Sequence, residues 1–142
     1  MDGVMLAVHM VGAVAWVGGL SAMAWVVLPA ARQHGQHEVL VDVLNRFQFV
    51  SRACSVLMLL SGGFLIGTRY PASTWFSTRG GAAAFGMMVL WLALTGVVEM
   101  ASPLRKSLLQ AGAGSAPKLA LYYNVATALG WLLILDGALG LG

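Results

Sequence analysis

Residues 4–31 read VMLAVHMVGAVAWVGGLSAMAWVVLPAA and contain no Asp, Glu, Lys or Arg. A membrane-spanning helix needs about 20 apolar residues, so this stretch alone is long enough to cross a bilayer. A cleavable signal peptide would begin with basic residues and have an apolar run of roughly 7–15 residues. Here the only early charge is Asp2 and the apolar run is far longer. We therefore predict a retained transmembrane helix.

The composition of the whole chain points to the same class of protein. Of 142 residues, 59% are hydrophobic and 9% are charged, whereas soluble domains carry about 25% charged residues. This excludes a water-soluble globule, and the high hydrophobicity also excludes intrinsic disorder. The eight basic residues are scattered, so we expect no nucleic-acid partner. We predict an all-α integral membrane protein whose surroundings are the lipid bilayer.

Four apolar segments predict four membrane spans within one domain, 1–142. Their predicted limits are about 4–31, 43–68, 81–101 and 119–141. Short connections between antiparallel neighbours indicate a four-helix transmembrane bundle with up-down-up-down topology. The small residues from Gln110 to Ala116 predict a flexible connector before the fourth span.

Basic residues in the short loops predict the orientation of the bundle. The first and third loops hold six of the eight, and the other side of the membrane holds two. Because Lys and Arg accumulate on the cytoplasmic side, both termini are expected outside. We expect a multi-pass protein of the bacterial cytoplasmic (inner) membrane. The six are Arg32, Arg46, Arg52, Arg105, Lys106 and Lys118, and the two are Arg69 and Arg79.

Polar side chains at membrane depth are the candidate functional residues, because they are costly there. His9 is one of them, and it shares a helical face with Gly12 and Trp16. A neutral imidazole is a ligand for haem iron and also for copper, which makes His9 the candidate metal ligand. The alternative is that His9 only forms a hydrogen bond to a neighbouring helix. Likewise, Gly12 serves either helix packing or a cofactor wall.

Two charged residues complete the candidate cofactor site. Asp136 is expected about level with His9, where a carboxylate could orient the imidazole. Arg52 could bind a carboxylate such as a haem propionate through its planar guanidinium group, although contact with a lipid headgroup explains it equally well. We predict no catalytic residue.

Other polar residues lie near the ends of the predicted spans. Glu99 is expected within reach of Arg105 or Arg46. His34 and His37 are three residues apart, a spacing that suits a metal on a helix. With no further Cys or His ligand nearby, a solvated loop is the simpler interpretation.

The segment VHMVGAVAWVGGL at residues 8–20 resembles the first helix of the copper-resistance D (CopD-like) membrane family. The resemblance extends to Arg46-Phe47 and to the sequence LLSG at residues 59–62, and it covers roughly residues 4 to 100. Copper handling is what this family resemblance implies.

A weaker similarity is to the HemJ-type protoporphyrinogen oxidases. It rests on His9, Trp16, the pair Gly19-Leu20 and the pair Leu28-Pro29. That family implies a b-type haem on the histidine of the first helix, here His9. It also uses a lysine in the third helix, where this chain has none, so only the ligand role of His9 is carried over.

Together these observations predict a membrane metal-handling or redox protein that binds haem b, or alternatively copper, through His9. One chain provides a single intramembrane histidine, so we expect a homo-oligomer or a larger complex. The alternative function is a non-catalytic accessory subunit of a respiratory or photosynthetic membrane complex. Small size, short loops and many small residues favour that second class.

Overall fold

The computed structural model describes residues 2–35, 37–111 and 116–140, and within these ranges the chain is helical without a β-strand. Four stretches, Gly3–His34, Glu38–Arg69, Arg79–Leu108 and Ala116–Gly140, are long and apolar enough to cross a membrane. The predicted all-helical fold, with four helical stretches capable of crossing a membrane, is thus confirmed. The elements are α1 (Asp2–Ala22), a π-helical turn (Met23–Val27), α2 (Leu28–His34), α3 (His37–Arg69), a 3-10 turn (Ala72–Thr74), α4 (Arg79–Met100), α5 (Ser102–Ala111) and α6 (Ala116–Gly140).

The first span continues through Pro29 rather than ending near it. Proline lacks an N–H, and its ring collides with the carbonyl four residues earlier in an α-helix. The backbone widens into the π-helical turn directly before α2, which relieves this conflict. The helix then ends at Gly35, whose φ of 63° allows its N–H to bond to the carbonyl of Ala31.

Helix α3 begins at His37, six residues before the predicted start at Val43. Its 33 residues extend about 50 Å at 1.5 Å per residue, which exceeds the roughly 30 Å of a hydrocarbon core. Part of α3 therefore projects beyond that core. Leu40 and Leu44 are buried in this part, because α3 packs against α2 and α5.

Helix α5 occupies a region that the sequence suggested was a loop. It begins at Ser102, and Pro103 is tolerated because the first turn of a helix needs no N–H partner. Arg105 is buried and donates from Nη1 to the carbonyl of Leu44 at 3.0 Å. Helix α5 is thereby fixed to α3. The predicted connector Gln110–Ala116 lies largely outside the described residues.

The helices pack in a ring in which α1 contacts α3 and α6, and α4 contacts α6. Glycines allow these close contacts: a Cβ on Gly130 of α6 would lie 2.9 Å from Val17 of α1. Helices α3 and α4 are bridged mainly by side chains, including the 3.0 Å hydrogen bond between Ser55 and Thr95. Along α1, His9 contacts Ser61 and the later residue Trp16 contacts the earlier Ser51. Along α3, Arg52 contacts Glu99 and the later Ser55 contacts the earlier Thr95. Helix α3 is therefore antiparallel to both α1 and α4.

Candidate functional site

His9 lies between α1 and α3 and is half-buried there. Its Nδ1 atom is 3.0 Å from Oγ of Ser61. The Ser61 hydroxyl donates its own proton to the carbonyl of Leu57 at 2.6 Å. Because that proton is already used, the remaining role of Oγ towards the imidazole is acceptor. The arrangement therefore favours a proton on Nδ1, so that the ring in its neutral form has its lone pair on Nε2.

A glycine on α3 makes room for the imidazole ring. A Cβ added to Gly62 would lie 2.9 Å from Cε1 of His9, which is closer than real Cβ contacts come. Gly12 contributes to the same pair of helices, since its Cβ would meet Leu57 at 3.3 Å and Met58 at 3.4 Å. Gly12 therefore serves the packing of α1 against α3.

Asp136 does not reach His9. It lies on α6 and faces α4, where a Cβ on Gly86 would be 3.0 Å from Oδ2. Among the described residues, no hydrogen bond or ion pair joins Asp136 to His9. Oδ2 of Asp136 is buried without a hydrogen-bond partner. The sequence suggested that Asp136 orients the imidazole of His9. In the structure, the group that contacts the imidazole is the Ser61 hydroxyl.

Arg52 forms a two-pronged ion pair with Glu99. Nε donates to Oε1 at 2.8 Å and Nη2 donates to Oε2 at 2.7 Å, while Gln48 donates to Oε1 at 2.8 Å. The partner of Glu99 is therefore Arg52, and not Arg46 or Arg105 as the sequence suggested. The guanidinium group of Arg52, which could bind an external carboxylate, is already bound to the carboxylate of Glu99.

A cavity of about 260 Å³ opens beside this ion pair, between α3 and α4. Trp16 of α1 lines it and is almost fully buried, with its indole Nε1 donating to Oγ of Ser51 at 2.7 Å. Trp16 is thus a core residue that joins α1 to α3. The other lining residues are Ser51, Arg52, Ser55, Val56, Thr95, Val98 and Glu99.

The remaining sequence candidates stand apart from His9. Arg46 pairs with Asp42 on the exposed surface of α3 at 3.0 Å. His34 is exposed at the end of α2, and the side chain of His37 lies outside the described part of the chain. Within the ranges that the structure describes, no three His, Cys, Asp or Glu side chains come together in a metal-binding group.

Sequence reasoning found His9 but missed its partner. In the sequence, Ser61 and Gly62 stand out only as part of the LLSG stretch of the family resemblance, which indicates neither the hydroxyl acceptor nor the space for the ring. One signal was present in the sequence: His9 is near the start of the first span and Ser61 near the end of the second. In an antiparallel hairpin these positions lie at the same level.

No protein-family model matches the sequence, and neither a curated protein nor a solved structure matches it significantly.

Proposed function

We propose that this chain is a redox or metal-handling membrane protein that binds haem b through Nε2 of His9. The observation that carries the proposal is the contact of His9 with Ser61, because it engages Nδ1 and leaves the Nε2 lone pair available. Histidine ligands of metals commonly have their other ring nitrogen held in this way. Half-burial of His9 between two helices restricts the ring while leaving one side open to a ligand.

The donor set fits haem better than a bare copper ion. A porphyrin supplies four nitrogens to its iron, so the protein needs to add only one or two axial ligands. A protein-bound copper ion takes several side-chain ligands, whereas His9 is surrounded by Ser61 and Gly62. We therefore rank haem b first and copper second.

Each residue near the proposed haem has a role in binding it or in positioning His9. His9 would hold the iron at Nε2, Ser61 fixes the rotation of the imidazole, and Gly62 keeps the space that the ring occupies. Haem bound there supplies one-electron transfer. Trp16 and Arg52 bind residues of other helices, so in this proposal they stabilise the bundle. Neither they nor Asp136 would touch the cofactor.

The haem would be held by His9 alone or also by a second copy of the chain. Since His9 is the one histidine of α1, the partner subunit's His9 would hold it in a homodimer. The same proposal includes an up-down-up-down bundle with both termini outside, in the bacterial inner membrane. The distribution of Lys and Arg between the loops supports that orientation.

Optical spectroscopy of the protein purified in mild detergent tests the haem proposal. We expect a Soret band that sharpens on reduction and iron in stoichiometric amount, both lost in His9→Ala and retained in the exposed control His34→Ala. Carbon monoxide binding to the reduced protein would distinguish an open site from two axial histidines. Absence of both haem and copper from protein isolated from native membranes contradicts the proposal.

The second candidate function, a non-catalytic accessory subunit of a larger membrane complex, is supported by an open glycine face. Gly63 and Gly67 are exposed one turn apart on α3, and a Cβ on either would meet nothing within 4 Å. Small residues at this spacing allow another transmembrane helix to approach closely. Stable co-purification of a cofactor-free chain with a respiratory or photosynthetic complex would favour this function over haem binding.

A further inference from the structure

Asp136 occupies an unusual position for a carboxyl group. At the start of α4, Arg79 donates from Nη2 to the carbonyl of Leu139 on α6 at 2.8 Å, so these ends of α4 and α6 lie together. Gly86, which faces Asp136, comes seven residues after Arg79. Seven residues of helix extend about 10 Å. Asp136 therefore lies about 10 Å further along the apolar bundle than Arg79, within the stretch Ala116–Gly140 that is apolar enough to cross a membrane.

No described cation compensates Asp136 at that depth. On α4 it faces Gly86, and Met87 lies next to it against Gly137. Arg79 donates its hydrogen bond to the carbonyl of Leu139. The described ion pairs do not include Asp136. Among the described side chains of α1, the titratable one at this end is His9, which is bonded to Ser61.

The other charged groups on the helices packed against α6 are remote. Glu99 of α4 is thirteen residues beyond Gly86, or about 20 Å along the helix. Arg105 of α5 lies at that same far end, where it binds the carbonyl of Leu44 on α3. The environment of Asp136 is therefore apolar, with one carboxyl oxygen buried and unpartnered.

An ionised carboxylate in such a place would be strongly disfavoured, because neither water nor a cation stabilises its charge. A neutral carboxylic acid removes that cost. We infer that Asp136 holds a proton within the membrane and is a modification site for lipid-soluble carbodiimides. The side chain is partly exposed on the outer surface of the bundle, so a reagent dissolved in the lipid can reach it.

The expected chemistry follows from the neutral acid. A carboxyl oxygen of Asp136 adds to the central carbon of the carbodiimide, and the acid proton moves to one of its nitrogens. The resulting O-acylisourea rearranges by transfer of the acyl group to nitrogen and gives a stable N-acylurea. No group leaves, so the peptide gains the mass of the whole reagent. In water, the O-acylisourea is instead attacked by a nucleophile such as an added amine, and the urea leaves.

The experiment uses the full chain in phospholipid vesicles, with dicyclohexylcarbodiimide as the probe and tandem mass spectrometry to assign the modified residue. We expect Asp136 to be the main modified carboxyl at pH 7, with labelling that falls as the pH is raised towards 9. The direction follows because, within the lipid, the acid itself supplies the proton that the carbodiimide takes up. Exposed Asp42, paired with Arg46, provides an internal control within the same molecule.

A water-soluble carbodiimide with an added amine gives the matched comparison. It should modify Asp42 and leave Asp136 unmodified. Absence of the dicyclohexylcarbodiimide adduct from Asp136 at both pH values overturns the inference, as does preferential labelling of Asp136 by the water-soluble reagent. Because the mass spectrum assigns the site in the unaltered chain, the test does not depend on a variant that folds. It is also independent of haem, so the two proposals can fail separately.

Discussion

The imidazole of His9 and the hydroxyl of Ser61 form a hydrogen bond of 3.0 Å between two helices. This contact joins residues 52 positions apart and settles which nitrogen of His9 is engaged. Two neighbouring glycines differ in their relation to this ring: Gly62 lies against it, whereas a Cβ on Gly63 would meet nothing within 4 Å.

Replacement of Ser61 by alanine removes the hydrogen-bond acceptor for Nδ1. We expect haem affinity to fall about 10-fold, the lower end of the effect of losing a partner of a metal-bound histidine. Haem titration followed at the Soret band measures the change. Ser61→Thr keeps the hydroxyl and should retain most of the affinity.

Ser21→Ala is the matched control for Ser61→Ala. Ser21 is a buried serine whose hydroxyl donates to a carbonyl of its own helix, Val17, at 2.8 Å. Equal losses of haem affinity in the two alanine variants would mean that Ser61 matters only for folding.

Substitution of Gly62 by alanine places a methyl group against His9. Alanine is favoured over glycine in a helix, but a Cβ at 2.9 Å from the ring forces the imidazole or the helix to move. Overpacking of this kind costs about 1–3 kcal/mol. We therefore expect Gly62→Ala to be less stable than Gly63→Ala by about that amount, measured by thermal unfolding of the monomer in detergent.

Gly96→Ala adds a second control from another helix, since a Cβ there meets nothing within 4 Å. It should behave like Gly63→Ala. If all three glycine variants had the same melting temperature, the close contact between α3 and His9 would be refuted.

The ion pair of Arg52 and Glu99 should couple α3 to α4. A double-mutant cycle with Arg52→Ala and Glu99→Ala is expected to give a favourable coupling energy that exceeds the coupling of a simple surface pair. The two parallel hydrogen bonds of this pair and the additional donor Gln48 favour the larger coupling. The free energy of unfolding in detergent micelles is the quantity to measure.

The pair Arg46–Asp42 supplies the comparison cycle. It is a one-turn pair on a single helix, with side chains 80% and 64% exposed. Such pairs contribute about 0.3–0.5 kcal/mol. If the coupling energy of Arg52 and Glu99 were no larger than that of Arg46 and Asp42, other contacts would hold α3 against α4.

The sequence was sufficient to predict the four long apolar helices, because an uninterrupted apolar run of about 20 residues is typical of a helix that crosses a membrane. It was insufficient for α5, where Ser102 and Pro103 look like a loop until the buried Arg105 is seen bound to Leu44 of α3. Side-chain partners were also hidden. Whether Arg52 or Arg105 meets Glu99 depends on the rotation of each helix, which a continuous apolar pattern does not specify.

The orientation of the bundle can be tested with single cysteines, since Cys54 is the one native cysteine. In a Cys54→Ser background, Ser73→Cys lies in the 3-10 turn between α3 and α4, and Pro103→Cys lies at the start of α5. Both positions are exposed, and neither change alters the count of Lys and Arg. A membrane-impermeant maleimide should label Ser73→Cys in intact cells and Pro103→Cys only after permeabilisation. The positive-inside rule gives this direction, because the loop that contains α5 carries Arg105 and Lys106. The reverse labelling pattern would place both termini in the cytoplasm, and it would move His9 and Asp136 to the opposite leaflet.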